Sequence, residues 1–169
     1  MHRRHVLGLC MAASLASFLV VESSFAQQKS LKEQLVGTWT LVSVSSKLPD
    51  GAPVWGANPV GLLIFTSSGH YSTQIMRADL PKYASNNRAK GTPEEYKAIA
   101  MGSVANFGTY SLNEEHKTFT ISYDASTFPN RKGAKETRPF VIEGDQLRIT
   151  NPAPSTGGES SELIYRRAN

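Results

Sequence analysis

From Leu35 onward the apolar positions of this chain recur mostly at a period of two, in short runs separated by turn residues. That alternation predicts strands rather than helices. The first run, about Leu35–Ser46, opens on Gly37-Thr38-Trp39, a Gly-x-Trp that suits the closed end of a small barrel. Pro49-Asp50-Gly51 is turn chemistry, since proline holds φ and glycine accepts a positive one. Ala52–Pro59 reads as a loop carrying Trp55, and Val60–Thr66 as a second strand, apolar on both faces. Ser67-Ser68-Gly69 predicts a tight hairpin into a third strand, His70–Arg77. Parity there is open: Tyr71, Thr73, Ile75 and Arg77 share one face, while Ser72, Gln74 and Met76 share the other.

The period then changes. Ala78–Gly91 is a polar connection, and after it Thr92 is set as an N-cap, Pro93 as the first helical residue, and Glu94 and Glu95 as first-turn acids. Tyr96, Ile99 and Ala100 recur at helical spacing, and Gly102 weakens the end. A connection of this length in a compact domain is usually functional or mobile. From Ala105 the period of two returns, predicting strands at about Asn106–Leu112, Lys117–Asp124, Glu136–Glu143, Gln146–Thr150 and Ser160–Arg166. The expected fold is therefore mainly β: an eight-stranded antiparallel barrel with one helix inserted between strands three and four. Meander-like connections favour a barrel over a sandwich, and closure removes the sheet edges. A barrel of eight strands is either filled by its own side chains or holds one small ligand.

The first 26 residues read as a cleaved signal peptide: His2-Arg3-Arg4-His5 is the cationic head, Val6–Val21 the apolar run, and Ser24-Phe25-Ala26 the small-residue site before Gln27. Arg3-Arg4-His5-Val6-Leu7 also fits the twin-arginine pattern, although an ordinary Sec signal that carries two arginines is the plainer reading. Periplasmic or secreted localisation follows as an expectation, with residues 27–34 as a short polar lead and 35–167 as the one domain. Cys10, the only cysteine, leaves with the leader, so the mature chain has no disulfide and no thiol chemistry. The net charge of +4 falls to +3 as Arg3, Arg4 and Glu22 are removed. These charges are dispersed and accompany no nucleic-acid motif, so they read as a solvated surface.

The ordered series of short matches resembles the bacterial and fungal lipocalin-like domains, small barrels of the calycin type. The matching residues are Leu35-Val36-Gly37-Thr38-Trp39 with Leu41-Val42-Ser43, then Gly61-Leu62-Leu63-Ile64-Phe65 and Gly69-His70-Tyr71-Ser72. They continue through Gln74-Ile75-Met76-Arg77, Gly91-Thr92-Pro93-Glu94-Glu95-Tyr96, Phe107-Gly108-Thr109-Tyr110-Ser111 and Phe128-Pro129-Asn130 to Arg138 and Gly144-Asp145-Gln146-Leu147. The resemblance implies a lipocalin-like barrel and no single activity, because such folds host carriers, isomerases and interaction modules. True lipocalins carry their helix after the last strand, so their ligand entrance does not transfer to this chain.

The chemistry narrows the choice. His70 and His116 flank hairpin turns without partners at metal-ligand spacing, so no metal is expected. No serine lies in Gly-x-Ser-x-Gly, and the acids lie mostly in turns, Asp124 at a strand end being the one to examine for a raised pKa. Arginine says more. Arg138 shares parity with Phe140 and Ile142, and Arg77 with Ile75, so each guanidinium enters or rims the barrel if those faces point inward. An inward arginine needs a carboxylate from the protein or from a ligand, which suggests an amphipathic acid. Snorkelling to water is the plainer reading of both.

The expected ligand contacts are Trp55, Phe65, Tyr71, Gln74, Tyr96, Phe107, Tyr123, Arg138 and Phe140. Trp39 is expected to plug the floor, leaving function to the opposite end. The resulting reading is an exported, monomeric binder of a small hydrophobic or amphipathic, and in one version anionic, molecule. It uses no cofactor, binds no nucleic acid and inserts stably in no membrane. A cofactor-independent isomerase, cyclase or hydrolase in the same cavity, and a filled structural barrel, stay open as alternatives.

Overall fold

The computed structural model describes residues 29–168, so the leader and the start of the polar lead lie outside the described residues. Eight antiparallel strands close a barrel in chain order: β1 (Gly37–Val44), β2 (Val60–Phe65), β3 (His70–Met76), β4 (Ser103–Asn113), β5 (Thr118–Ser126), β6 (Lys135–Glu143), β7 (Gln146–Asn151) and β8 (Ser161–Arg167), with β8 returning to β1. Every neighbouring pair is joined directly in sequence except the closing one. The helix α2 (Pro93–Gly102) lies between β3 and β4, as the pattern predicted.

The floor differs from expectation. Residues 31–35 form a short helix, α1 (Leu31–Leu35), rather than part of a lead and first strand. Ser30 and Glu33 cap it reciprocally, a capping box that the sequence contains at Ser30-x-x-Glu33. Gly37 turns the chain from helix to strand at φ +136°, and a Cβ there would lie 2.7 Å from Arg167 Nη1. The fully buried Trp39 donates its Nε1 hydrogen to the Leu35 carbonyl at 2.9 Å, while the Arg167 guanidinium lies 4.0 Å from its ring centroid. Above this plug Phe65 meets Tyr110 and Phe119 edge-on at 4.8 and 5.2 Å, and Phe119 meets Phe140 at 5.5 Å. Burying each of these large side chains contributes roughly 1.5–3 kcal/mol. The lower third of the barrel is solid.

The opposite end is the mouth, formed by the four long loops. One feature of the wall re-aims it: β4 and β5 are bulged between Phe107 and Gly108, so that Phe107 faces Ala125 and Gly108 faces Tyr123. Asp124 is the extra residue and points to solvent. Gly108 is required there, because a Cβ would come within 2.0 Å of the Ser122 carbonyl oxygen.

Helix α2 lies against the β1–β2 loop, its Ala98, Met101 and Gly102 sharing a groove with Leu48 and Val54. Tyr96 packs on Tyr83, accepts from the Gly91 amide at 2.9 Å and donates to the Arg88 carbonyl at 3.1 Å. Glu95 accepts from the Ala84 and Thr92 amides, both at 2.8 Å, and these hydrogen bonds hold its carboxyl below the ordinary range. The polar connection is thus tied to its own helix.

Candidate functional site

Strand β6 alternates cleanly, and its inward residues from mouth to floor are Glu136, Arg138, Phe140 and Ile142. Arg138 is only 7% exposed. Its Nη2 donates to Glu136 Oε2 at 2.7 Å and to the Tyr123 hydroxyl oxygen at 3.0 Å. Tyr123 in turn donates to Glu136 Oε2 at 2.7 Å. A second arginine enters from the 3-10 turn Pro129–Arg131 in the β5–β6 loop. Arg131 Nε donates to Glu136 Oε1 at 3.1 Å, and its guanidinium carbon lies 5.2 Å from the Tyr123 ring centroid. Its Nη2 reaches across to the Ala153 carbonyl at 3.3 Å, tying this cluster to the β7–β8 loop.

Two guanidiniums therefore share one carboxylate. Burial pushes the Glu136 carboxyl upward, but Arg138, the Tyr123 hydrogen bond and Arg131 outweigh it, and the net displacement is downward. Burial likewise works against the charge of Arg138, and Tyr123 and Glu136 reverse it. The phenols move the other way: burial pushes Tyr123 and Tyr165 each up to about 12, and raises Tyr71 as well. At neutral pH these three are uncharged hydroxyls, and the cluster carries one excess positive charge. Among the described residues no acid lines the space beneath it.

That space is a cavity of about 40 Å3 under the mouth. Its lower wall is Tyr71, Thr73, Arg138 and Tyr165; its upper wall is apolar at Ile75, Val104 and Leu163 and polar at Asn106, Asn151 and Ser161. Trp55 and residues 154–156 close it from above. The Tyr71 hydroxyl, Thr73 Oγ1 and Ser161 Oγ are buried without a hydrogen-bond partner among the described residues. The Tyr165 hydroxyl faces Thr73 closely enough to influence its titration, but not with hydrogen-bonding geometry. Buried polar atoms are almost always satisfied, so these three hydroxyls offer hydrogen bonds to whatever polar group or water occupies the space.

The expected contacts divide into three groups. Trp55, Tyr71 and Arg138 line the cavity, and Tyr123 stands behind it in the arginine cluster. Phe65 and Phe140 point inward but belong to the packed floor. Gln74, Phe107 and Tyr96 lie outside the barrel. In β3 the face of Tyr71, Thr73 and Ile75 points inward, which turns Gln74 out; in β4 the small Gly108 faces in and turns Phe107 out. Arg77 does not enter the barrel either, but pairs with Asp79 at 2.8 Å on the outer rim. Glu136 was legible, sharing parity with Arg138 two residues on. Arg131 was not, since its place depends on how a loop folds back.

A family model described as a lipocalin-like domain matches residues 36–168. No curated protein matches the chain. Among solved structures, wild-type fluorescent protein UnaG is similar at 16% identity over 80% of this chain and 98% of its own, with a TM-score of 0.36. A glutamine-for-asparagine mutant of the same protein is similar at 17% identity over 80% and 97%, with a TM-score of 0.37.

Proposed function

We propose that this chain, which belongs to the lipocalin-like domain family, binds a small amphipathic acid inside its barrel with the acid group innermost. The observation that carries this reading is the excess guanidinium over carboxylate, buried beside unpartnered hydroxyls. A buried cation without full compensation is costly, and a carboxylate relieves it through charge-assisted hydrogen bonds. The neutral Tyr71 and Thr73 hydroxyls, on the same lower wall as Arg138, supply further donors. The tail runs toward the mouth along Ile75, Val104, Leu163 and Trp55, because the floor below is filled by Phe65, Phe119 and Phe140.

A cavity of about 40 Å3 takes a head group or a few waters. Typical ligand sites begin near roughly 300 Å3, so binding requires the Trp55 and 152–160 loops to move outward. The Arg131 bond to Ala153 is the tie between loops that breaks as they open. Export after cleavage before Gln27 is a companion proposal, resting on the leader's residue pattern alone.

The small cavity is also the observation that favours a second reading, a structural barrel with a filled interior. Titration calorimetry with decanoate and with decanol separates the two. Decanoate binding at least tenfold more tightly than decanol supports the acid site. Equal affinity removes the charge from the reading, and no heat with either, together with no adduct by native mass spectrometry of protein from its own source, leaves the filled barrel.

A further inference from the structure

The outer wall of the barrel is divided by charge. Along β1–β4 the outward residues are Thr38, Thr40 and Val42; Val60, Leu62 and Ile64; His70, Ser72, Gln74 and Met76; and Ser103, Ala105, Phe107, Thr109 and Ser111. None is Lys, Arg, Asp or Glu. The opposite wall is the reverse, with Lys135 and Glu143 on β6, Arg148 on β7, and Glu162 and Arg166 on β8. Large apolar side chains stand open on the uncharged wall: Val60 is 51% exposed, Leu62 40% and Phe107 54%. Its polar groups are partly spent on each other, as Gln74 Nε2 donates to Ser72 Oγ at 2.7 Å and Ser103 Oγ to the Ile99 carbonyl at 2.7 Å. Its apolar residues form a patch set among neutral polar ones, and the largest patch on a small protein is often functional.

The face has both a knob and a hole. Direct pairing of β1 with β2 ends at Thr40 and Leu62, although β1 runs on to Val44. Where the two strands part, a groove of about 420 Å3 opens, lined by Thr40, Leu41, Val60, Leu62 and Met76. Phe107 is the projecting ring on the same wall, level with Ser72 and one row from Gln74 and Leu62. A face carrying a knob beside a hole is complementary to itself about a two-fold axis, where each residue's contact is repeated in reverse.

We infer that this wall packs against the same wall of a second copy of the chain, Phe107 of each copy seated in the β1–β2 groove of the other. The absence of charge selects this partner. Copies of a net-positive chain repel one another, and an uncharged wall is where they approach with least penalty. An acidic lipid surface, in contrast, finds no lysine or arginine on it. Four strands at about 4.8 Å spacing and about 20 Å of strand length make roughly 400 Å2. That is about half of what each partner of a standard interface buries, so the dimer is reversible rather than obligate.

Sedimentation velocity of the protein from about 1 μM to about 1 mM tests this, alongside flotation with phosphatidylcholine–phosphatidylglycerol vesicles. The sedimenting mass is expected to rise toward two chains with concentration, and Phe107→Glu and Leu62→Lys are each expected to hold it at one chain with unchanged melting. Mixing those two variants restores a mixed dimer, since one contact becomes an ion pair and the other is native. Three results overturn the inference: a single-chain mass at every concentration, a dimer indifferent to both variants, or loss of vesicle flotation as the only effect of either.

Discussion

Arg138 Nη2 donates to Glu136 Oε2 at 2.7 Å, and the two residues stand two positions apart on the inner face of one strand. The pair is therefore local, set by strand parity before the barrel closes. Its consequences are not local. Tyr123 from β5 and Arg131 from the following turn converge on the same carboxylate, and Arg131 carries the connection to the loop over the mouth.

Removing Arg138 breaks this convergence. Arg138→Ala is expected to cost about 3 kcal/mol, the lower end for a broken buried pair, because Arg131 still meets Glu136. Urea unfolding measures the loss, and decanoate affinity is expected to fall at least tenfold. Unchanged stability together with unchanged binding contradicts both roles.

Acid tests the carboxylate. Arg138, Tyr123 and Arg131 hold the folded Glu136 carboxyl below its ordinary value of 4.5, so the unfolded chain takes up its proton first as pH falls. Its contribution is complete above the unfolded value and is lost as pH drops through the folded one. The melting temperature of the native protein is expected to decline below about pH 4.5 more steeply than that of Glu136→Gln. Parallel profiles for the two proteins exclude this linkage.

Alkali tests the phenols, with the opposite sign. Burial pushes Tyr123 and Tyr165 each up to about 12 in the folded state from an ordinary 10.0, so their contribution is complete below 10 and is lost on rising through 12. Ultraviolet titration is expected to show a group of tyrosines ionising well above those that are exposed. Ionisation of all six tyrosines near pH 10 is the contrary result.

The two tryptophans should separate stability from binding. Trp39→Ala is expected to cost about 3–5 kcal/mol, since it empties the floor and orphans the Leu35 carbonyl. Limited proteolysis is expected to cut next to α1 in that variant. Trp55→Ala is expected to change decanoate affinity more than unfolding free energy. An equal unfolding cost for both removes the distinction between floor and mouth.

Gly108→Ala is expected to destabilise by about 1–3 kcal/mol, because the added carbon meets the Ser122 carbonyl at 2.0 Å inside the bulge. Gly133→Ala, whose Cβ meets nothing but whose φ is +78°, is a milder reference. Chemical unfolding compares them, and an equal or smaller loss at Gly108 contradicts the crowded bulge.

Much of the architecture was legible along the chain. Alternation of apolar and polar residues is a property of the strand's own pleat, so eight strands, the Ser67-Ser68-Gly69 hairpin and the Thr92–Pro93 helix start could be read without any partner. The same locality placed Arg138 on the face of Phe140. Which face of β3 or β4 turns inward is not local: Gln74 and Phe107 were expected in the site and stand outside it, because closure selected the faces of Tyr71 and Gly108 instead. Nor is the position of Arg131, which enters only when its loop folds over β6, or of α1, whose last carbonyl needs the Trp39 indole N–H as its donor. Periodicity determined the strands by themselves, and the choice of inside, outside and covering loop was made by contacts between residues far apart in the chain.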